Sequence, residues 1–206
     1  MNHGTRFLGG LDVSRETFTK LSNLVALIEK WTKSINLIAN SSVSELWARH
    51  IEDSAQLFSY APQGWERWTD IGSGGGLPGL VIAIVDQKKR PITLIESDQR
   101  KCLFLNTARR ELDLNINVIN ARIEKAGTSQ ADVLSARALA PLDKLLGFSE
   151  GLLKPNGLAL FPKGERFQTE IDLARLEWDF ELRTHPSRTH PDAKILEISR
   201  ITRREC

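Results

Sequence analysis

The chain has 206 residues, 41% hydrophobic and 26% charged, with a formal net charge of +2. That length is one domain, or one domain with an extension, and it buries about 70% of its unfolded surface, enough for an apolar core without cross-links. The composition excludes disorder, collagen and a multi-span membrane protein, and the longest uncharged stretch, Ile71 to Val85, is too short and too broken by glycine and proline to span a bilayer.

In chain order, Met1 to Val13 lack the apolar core and cleavage site of a secretion signal, and Met1-Asn2 is no myristoylation start, so a cytoplasmic protein is expected. Phe18, Leu21, Leu24, Val25, Leu27, Ile28 and Trp31 then recur at spacings of three and four, the apolar face of a helix over residues 14–31, with Ser14 suited to cap it. After a polar break at Asn40 to Ser42, Ser42 and Glu45 have capping-box spacing, and Leu46, His50, Ile51 and Leu57 continue a second helix. The first sixty residues therefore read as helical. From Trp68 onward short apolar runs alternate with helical stretches, the pattern of βαβ units feeding a parallel sheet. Strands are predicted over 67–71, 92–96, 116–119, 131–136, 157–161, 178–184 and 194–202, and helices over 77–86, 98–113, 141–153 and 164–176. The loop His185 to Asp192 is too short for a crossover, so the last two strands should form an antiparallel hairpin. The expected division is an N-terminal helical extension, 1–62, packed on a sheet domain, 63–206.

Charge is unevenly spread: residues 88–125 hold nine Lys/Arg against five Asp/Glu, and 61–87 hold one against three. A polyanionic partner and plain solvated helix faces both account for that. Cys102 and Cys206 build neither a disulfide framework nor a metal site, and His185 and His190 have no third ligand nearby, so no metal is expected. The five tryptophans are read as packing residues, with Trp31 and Trp47 on amphipathic helices and Trp178 opening a strand.

The most informative segment is Asp70-Ile71-Gly72-Ser73-Gly74-Gly75-Gly76-Leu77-Pro78-Gly79, which follows the first predicted sheet strand and opens a helix. Gly74, Gly76 and Gly79 satisfy a dinucleotide fingerprint, with Glu96 about twenty residues on for a ribose. Gly72, Gly74 and Gly76, with Asp70 two positions earlier, instead make an acidic-x-Gly-x-Gly-x-Gly loop for S-adenosylmethionine. A carboxylate at Asp70 repels a pyrophosphate but not a cationic methionine group, which favours the methyl donor, and the chain has no room for a dehydrogenase's second domain. Glu96, at a strand end, can accept both ribose hydroxyls in either case; an ordinary strand-end carboxylate is the alternative.

With Asn36-Leu37-Ile38, Arg49-His50-Ile51-Glu52-Asp53-Ser54, the glycine loop, Glu96-Ser97-Asp98, Arg100-Lys101-Cys102, Phe104-Leu105, Ser135, Arg137-Ala138 and Lys163-Gly164 in this order, the chain resembles the bacterial 16S rRNA guanine-N7 methyltransferase G family, formerly glucose-inhibited division protein B. The resemblance implies a Rossmann-like class I methyltransferase that uses S-adenosylmethionine to methylate N7 of guanine 527, in the conventional count, of 16S rRNA. Its partner would be that RNA or the small ribosomal subunit, with no membrane and no obligate protein partner. Gly72, Leu77, Ile123, Glu124 and Arg137 then look like donor-binding positions beside Asp70, Gly74, Gly76 and Glu96, with Ile123 and Glu124 flanking the adenine. On its own, Glu124 reads as a solvated cap residue.

Guanine N7 attacks through an in-plane lone pair, so alignment matters more than a general base. Exocyclic-amine methylation would call for an Asn-Pro-Pro-Tyr-like clamp where the chain has Leu134 to Ala138, and pyrimidine C5 methylation for a cysteine nucleophile that neither Cys102 nor Cys206 is placed to supply. Arg137 is expected at the carboxyl edge of the sheet, holding the donor carboxylate or the RNA, unless it merely pairs with Asp132 or Asp143. His50 and Asp53 share a helix face and suit either a site contact or, preferably, a structural hydrogen bond. Arg49, His50 and Lys163 are the expected substrate contacts, with Arg100, Lys101, Arg109, Arg110, Arg122, Arg166, Arg200, Arg203 and Arg204 as further cations for RNA. Two other functions remain open on this fold: a nicotinamide-dependent oxidoreductase and a non-catalytic RNA-binding protein.

Overall fold

The computed structural model describes residues 6–39 and 45–204. Asn40 to Ser42, with the Ser42 capping box, and Cys206 lie outside them. Two short antiparallel strands come first, β1 (Arg6–Leu8) and β2 (Leu11–Val13), joined by Gly9-Gly10 with both φ angles positive, at 56° and 92°. This corrects the all-helical expectation for the first sixty residues: two consecutive glycines permit the tight two-residue turn that a helix reading passes over. Helix α1 (Arg15–Thr32) follows, and the Ser14 hydroxyl accepts from the Thr17 amide at 3.1 Å as its cap. Its buried side chains include Leu21, Leu24, Leu27 and Ile28 from the expected stripe.

The second helix is irregular. A π-helical turn, Trp47–Glu52, leads into one α-helical turn, α2 (Asp53–Ala55), and then a 3-10 turn, Gln56–Tyr60. The sheet elements are β3 (Trp68–Ile71), α3 (Gly79–Val85), β4 (Ile92–Glu96), α4 (Gln99–Glu111) and β5 (Ile116–Asn120), then β6 (Ala131–Ser135), α5 (Leu142–Leu152), β7 (Leu153–Lys163), α6 (Phe167–Ala174), β8 (Trp178–Pro186) and β9 (Lys194–Arg203). The main sheet has seven strands in the order β5-β4-β3-β6-β7-β9-β8. Its first five are parallel, and β9 runs antiparallel to both neighbours. The sheet is thus mostly parallel with an antiparallel C-terminal hairpin.

Strand β7 starts earlier than its apolar run. Lys154, Pro155, Asn156 and Gly157 look like a turn in sequence, yet they lie within the strand across an irregularity, with Ala131 opposite Leu153 and Val133 opposite Leu158. A bulge absorbs the extra residues and leaves Pro155, which has no N–H for a ladder, exposed outside the paired register.

Each face of the sheet carries an apolar cluster. One joins α1, α2, α3 and α4 to β3 and β4; the other joins α5, α6 and β9 to β6 and β7. Trp65, Trp68 and Trp178 are buried, and Trp31 and Trp47 pack against the first cluster. Strand order reverses between β3 and β6, so the chain leaves these two strands in opposite directions at their carboxyl ends and opens a crevice there.

Helix α4 gives an internal test of this packing. Phe104 is wholly buried, whereas Leu103 beside it is 59% exposed. Phe104→Ala should cost about 3–5 kcal/mol of unfolding free energy in urea titrations. Leu103→Ala should stay within about 0.5 kcal/mol of the parent.

Candidate functional site

The loop from Asp70 to Gly79 hangs from the carboxyl end of β3. Gly72, Gly74 and Gly76 have φ angles of 61°, 54° and 79°, whereas Gly79 has none in the left-handed region. The alternating triplet that begins two residues after Asp70 is therefore the set whose backbone needs glycine. At Gly74 a Cβ would meet nothing closer than the Gly72 carbonyl oxygen at 3.8 Å, so its missing side chain leaves open space above the loop. Leu77 is buried in the first cluster.

Glu96, at the end of β4, ties this loop to its neighbour. Its Oε2 accepts from the Gly74 amide at 2.8 Å, and its Oε1 accepts from the Asp98 amide at 2.8 Å. Asp98 in turn caps α4 by accepting from the Arg100 and Lys101 amides, bonds that hold its carboxyl below the usual range. Ile123 and Glu124 lie on a 3-10 turn, Ile123–Lys125, after β5, with Ile123 half-buried and Glu124 exposed. The Cys102 thiol is buried and donates to the Glu96 carbonyl.

Asp70 is fully buried and faces the fold interior. Its Oδ1 accepts from the Ser135 hydroxyl at 2.7 Å, and Ser135 Oγ accepts from the Trp68 indole N–H at 2.9 Å. Oδ2 has no hydrogen-bond partner among the described residues. Burial pushes the Asp70 carboxyl up to about 6, against the opposing pull of Ser135, Ser73, the Gly79 amide and the charge of Arg137.

Arg137 follows β6. Its side chain is 17% exposed, and its Nη1 donates to His50 Nδ1 at 2.8 Å and to the Arg49 carbonyl at 3.3 Å, while lying 3.6 Å from Asp53 Oδ2. The alternative ion pair expected for it is not formed: Asp132 instead holds Lys154 Nζ at 2.5 Å and the Glu66 and Arg67 amides. Because arginine only donates, His50 Nδ1 must be the acceptor and its proton sits on Nε2, a buried atom with no partner among the described residues. Burial, then the charges of Arg137 and Arg49, bring His50 down to about 4, so the ring is neutral at pH 7.

A cleft of about 790 Å³ opens here, lined by Arg49, Asp53, Arg137, Leu139, Lys163 and Glu165, among others. Lys163 is 9% exposed in its side chain, and its Nζ donates to the Ala140 carbonyl at 2.8 Å and Glu170 Oε2 at 2.6 Å. Glu170 also accepts from the Leu142 amide and so caps α5 from α6. Sequence spacing gave no sign of Glu170 in that role. Of the cations named for RNA, Arg200, Arg203 and Arg204 pair with Glu181, Glu177 and Asp179, Arg49 with Glu45 and Arg100 with Asp98. Lys101, Arg109, Arg110, Arg122 and Arg166 have no ion pair among the described residues. Among those residues, too, no three His, Cys, Asp or Glu side chains are grouped to hold a metal, and no helix is long and apolar enough to cross a membrane.

Residues 17–195 match the family model described as rRNA small subunit methyltransferase G. The chain belongs to that family. It is 50% identical over 196 residues to the ribosomal RNA small subunit methyltransferase G of Ruegeria sp. (strain TM1040), covering 94% of this chain and 95% of the relative. The corresponding protein of Gluconobacter oxydans (strain 621H) is 45% identical over 191 residues, 93% of this chain and 97% of that one. Among solved structures, the SAH-bound methyltransferase PaMTH1 of Podospora anserina aligns with a TM-score of 0.58 at 13% identity, over 92% of this chain and 97% of that one. A ribosomal protein L11 methylase from Lactobacillus delbrueckii subsp. bulgaricus aligns at 0.57 and 17% identity, over 71% and 76%. The chain thus has a Rossmann-like methyltransferase fold, and it is an rRNA small subunit methyltransferase.

The raised Asp70 carboxyl makes stability depend on pH. A folded-state value of about 6 against an ordinary 3.8 means that the folded protein binds this proton more tightly than the unfolded chain. Its contribution is therefore full below about pH 4 and lost as pH rises through 6. Asp70→Asn removes that dependence, so the variant should gain on the parent by up to about 3 kcal/mol between pH 4 and 7, read from urea unfolding at a series of pH values.

Proposed function

We propose that the chain transfers a methyl group from S-adenosylmethionine to N7 of a guanine in 16S rRNA, at position 527 in the conventional count, with the RNA of the small ribosomal subunit as its partner. The observation that carries this reading is the loop at the β3 end, where three alternate glycines take positive φ and Glu96 clamps the Gly74 amide. The open space over Gly74, which a Cβ would fill, fits a donor lying against backbone. The register of the positive angles supports the methyl-donor loop over the dinucleotide one.

We read residues 1–62 as an extension packed on a methyltransferase domain, 63–206. In the donor site, Gly72, Gly74, Gly76 and Leu77 supply a close-approaching backbone, Glu96 has lone pairs left for ribose hydroxyls, and Ile123 and Glu124 flank the adenine. Asp70 acts from beneath the loop, through the negative field it sets for a cationic methionine group and for Arg137. On the RNA side stand Arg49, which lines the cleft, and Lys163, which has one donor hydrogen left after Ala140 and Glu170. His50 meets that side through its bond to Arg137.

The bound donor would supply a methyl group on a sulfonium, which the N7 lone pair takes as the S–C bond breaks, leaving a neutral thioether and a positive purine with no proton lost. No side chain need act as a base. The chain's task is orientation and charge placement, and a neutral His50 already engaged with Arg137 is consistent with that.

The deciding experiment offers labelled S-adenosylmethionine with 30S particles and deproteinised 16S rRNA, then maps N7-methylguanine by mass spectrometry. Product at guanine 527 supports the reading, and binding of NAD in place of S-adenosylmethionine would reject it.

Two variants probe the donor site. Glu96→Ala should weaken donor binding by roughly one to two decades in calorimetry, since a bond to a charged group contributes about 1.5–3 kcal/mol. Gly74→Val should abolish binding while circular dichroism stays that of the parent, because a β-branched residue resists a φ of 54° and its side chain occupies the open space. Normal binding by Gly74→Val would remove this loop from the donor site.

A further inference from the structure

Arg137 spends one end of its guanidinium on the protein and leaves the other free. Nη1 faces His50, the Arg49 carbonyl and Asp53, whereas Nε and Nη2 make no hydrogen bond to the described residues and are not among the buried unpartnered atoms. That second edge is a pair of parallel donors on a residue that lines the 790 Å³ cleft. Such a fork matches a carboxylate or a phosphate. It does not suit the O6/N7 edge of a guanine that must keep its N7 lone pair for reaction.

What holds the guanidinium at this angle comes from two distant parts of the chain. Asp53 divides its oxygens: Oδ2 faces Arg137, while Oδ1 accepts from the Gln56 amide nitrogen at 2.8 Å and from the Thr189 hydroxyl at 3.0 Å. Thr189 is steadied by Ser187, whose Oγ lies 3.0 Å from the threonine hydroxyl and accepts from the Thr189 amide at 3.2 Å. Gln56, fully buried, accepts from the Arg188 amide at 3.0 Å through Oε1. The loop between β8 and β9 is thereby bonded to the helical segment that carries Asp53. A bond at Oδ1 fixes the plane of the carboxylate and with it the place of Oδ2, and chains of this kind strengthen each member.

We infer that Asp53, fixed by Thr189 and Gln56, is a positioning residue that sets Arg137 with its Nε/Nη2 edge turned to the cleft as an oxyanion fork. This rests on the proposed methyl transfer for its use but not for its geometry. The shared ligand chemistry is an oxyanion with two sources, the donor's carboxylate or an RNA phosphate.

The test compares the whole protein with Thr189→Val, which keeps shape and loses the hydroxyl, Thr189→Ser, which keeps the hydroxyl, and Gln56→Met, whose site is sealed from any substrate. Nitrogen-15 NMR of the Arg137 Nε–H reads the guanidinium directly: one sharp resonance is expected for the parent and Thr189→Ser, and a shifted or exchange-broadened one for Thr189→Val and Gln56→Met. Methyl transfer should fall about tenfold or more in the latter two, the scale of a misplaced group, and return in Thr189→Ser. If the fork takes the donor, calorimetric affinity for S-adenosylmethionine drops; if it takes RNA, that affinity holds and the KM for 30S particles rises. Unchanged Nε–H resonances in Thr189→Val and Gln56→Met overturn the inference, as does a loss of turnover that Thr189→Ser shares. An inactive parent with the expected resonances would instead reject the proposed function and leave the positioning intact. Should Thr189→Val fold poorly, Gln56→Met carries the same comparison from the other side of Asp53.

Discussion

Asp70 places a carboxylate with no exposed surface at the carboxyl end of β3, and the bond from Ser135 on β6, backed by the Trp68 indole, joins the two strands between which the sheet reverses. A charge there is costly unless it is bonded. The register that puts Asp70 opposite Ser135 is therefore held by chemistry as well as by the ladder. The two chain segments that leave this point are the glycine loop, two residues beyond Asp70, and Arg137, two residues beyond Ser135. Moving either strand by one residue would turn the hydroxyl to the other face, strand the carboxylate and displace both arms of the site.

From this anchor the site is assembled by carboxylates that bind backbone or each other's neighbours. Glu96 joins the β3 and β4 loops through two amides, Glu170 joins α5 to the Lys163 end of β7, and Asp53 joins α2 to Arg137. Each acidic group bridges two segments, so rigidity comes from bonds between loops that packing alone would leave loose.

The seven sheet strands were legible because each is a short apolar run between turn signals, and the parallel order followed from the helices between them. The glycine loop was legible because few backbones need alternate glycines, although its register became plain only from the φ angles of Gly72, Gly74 and Gly76. The hairpin at Gly9-Gly10 had a sequence signal that the helical pattern beside it masked. The bulge in β7 did not, since Pro155 and Gly157 ordinarily end strands. Partner identity was out of reach: Arg137 meets Asp53 across 84 positions in the chain, not the nearby Asp132 or Asp143, and Thr189 meets Asp53 across 136. Periodicity informs on which side of an element a residue lies and carries nothing about contacts so far apart.

Strand β9 lies between β7 and β8 although it follows both in the chain. Until β9 is in place, β7 keeps an unpaired edge and β8, which pairs with β9 alone, has no partner strand. The loop that carries Thr189 cannot settle before that insertion, so Arg137 gains its bracing at the end of assembly. A chain without β9 would thus lack the loop that braces the arginine and would leave the β7 edge open to pairing with another strand.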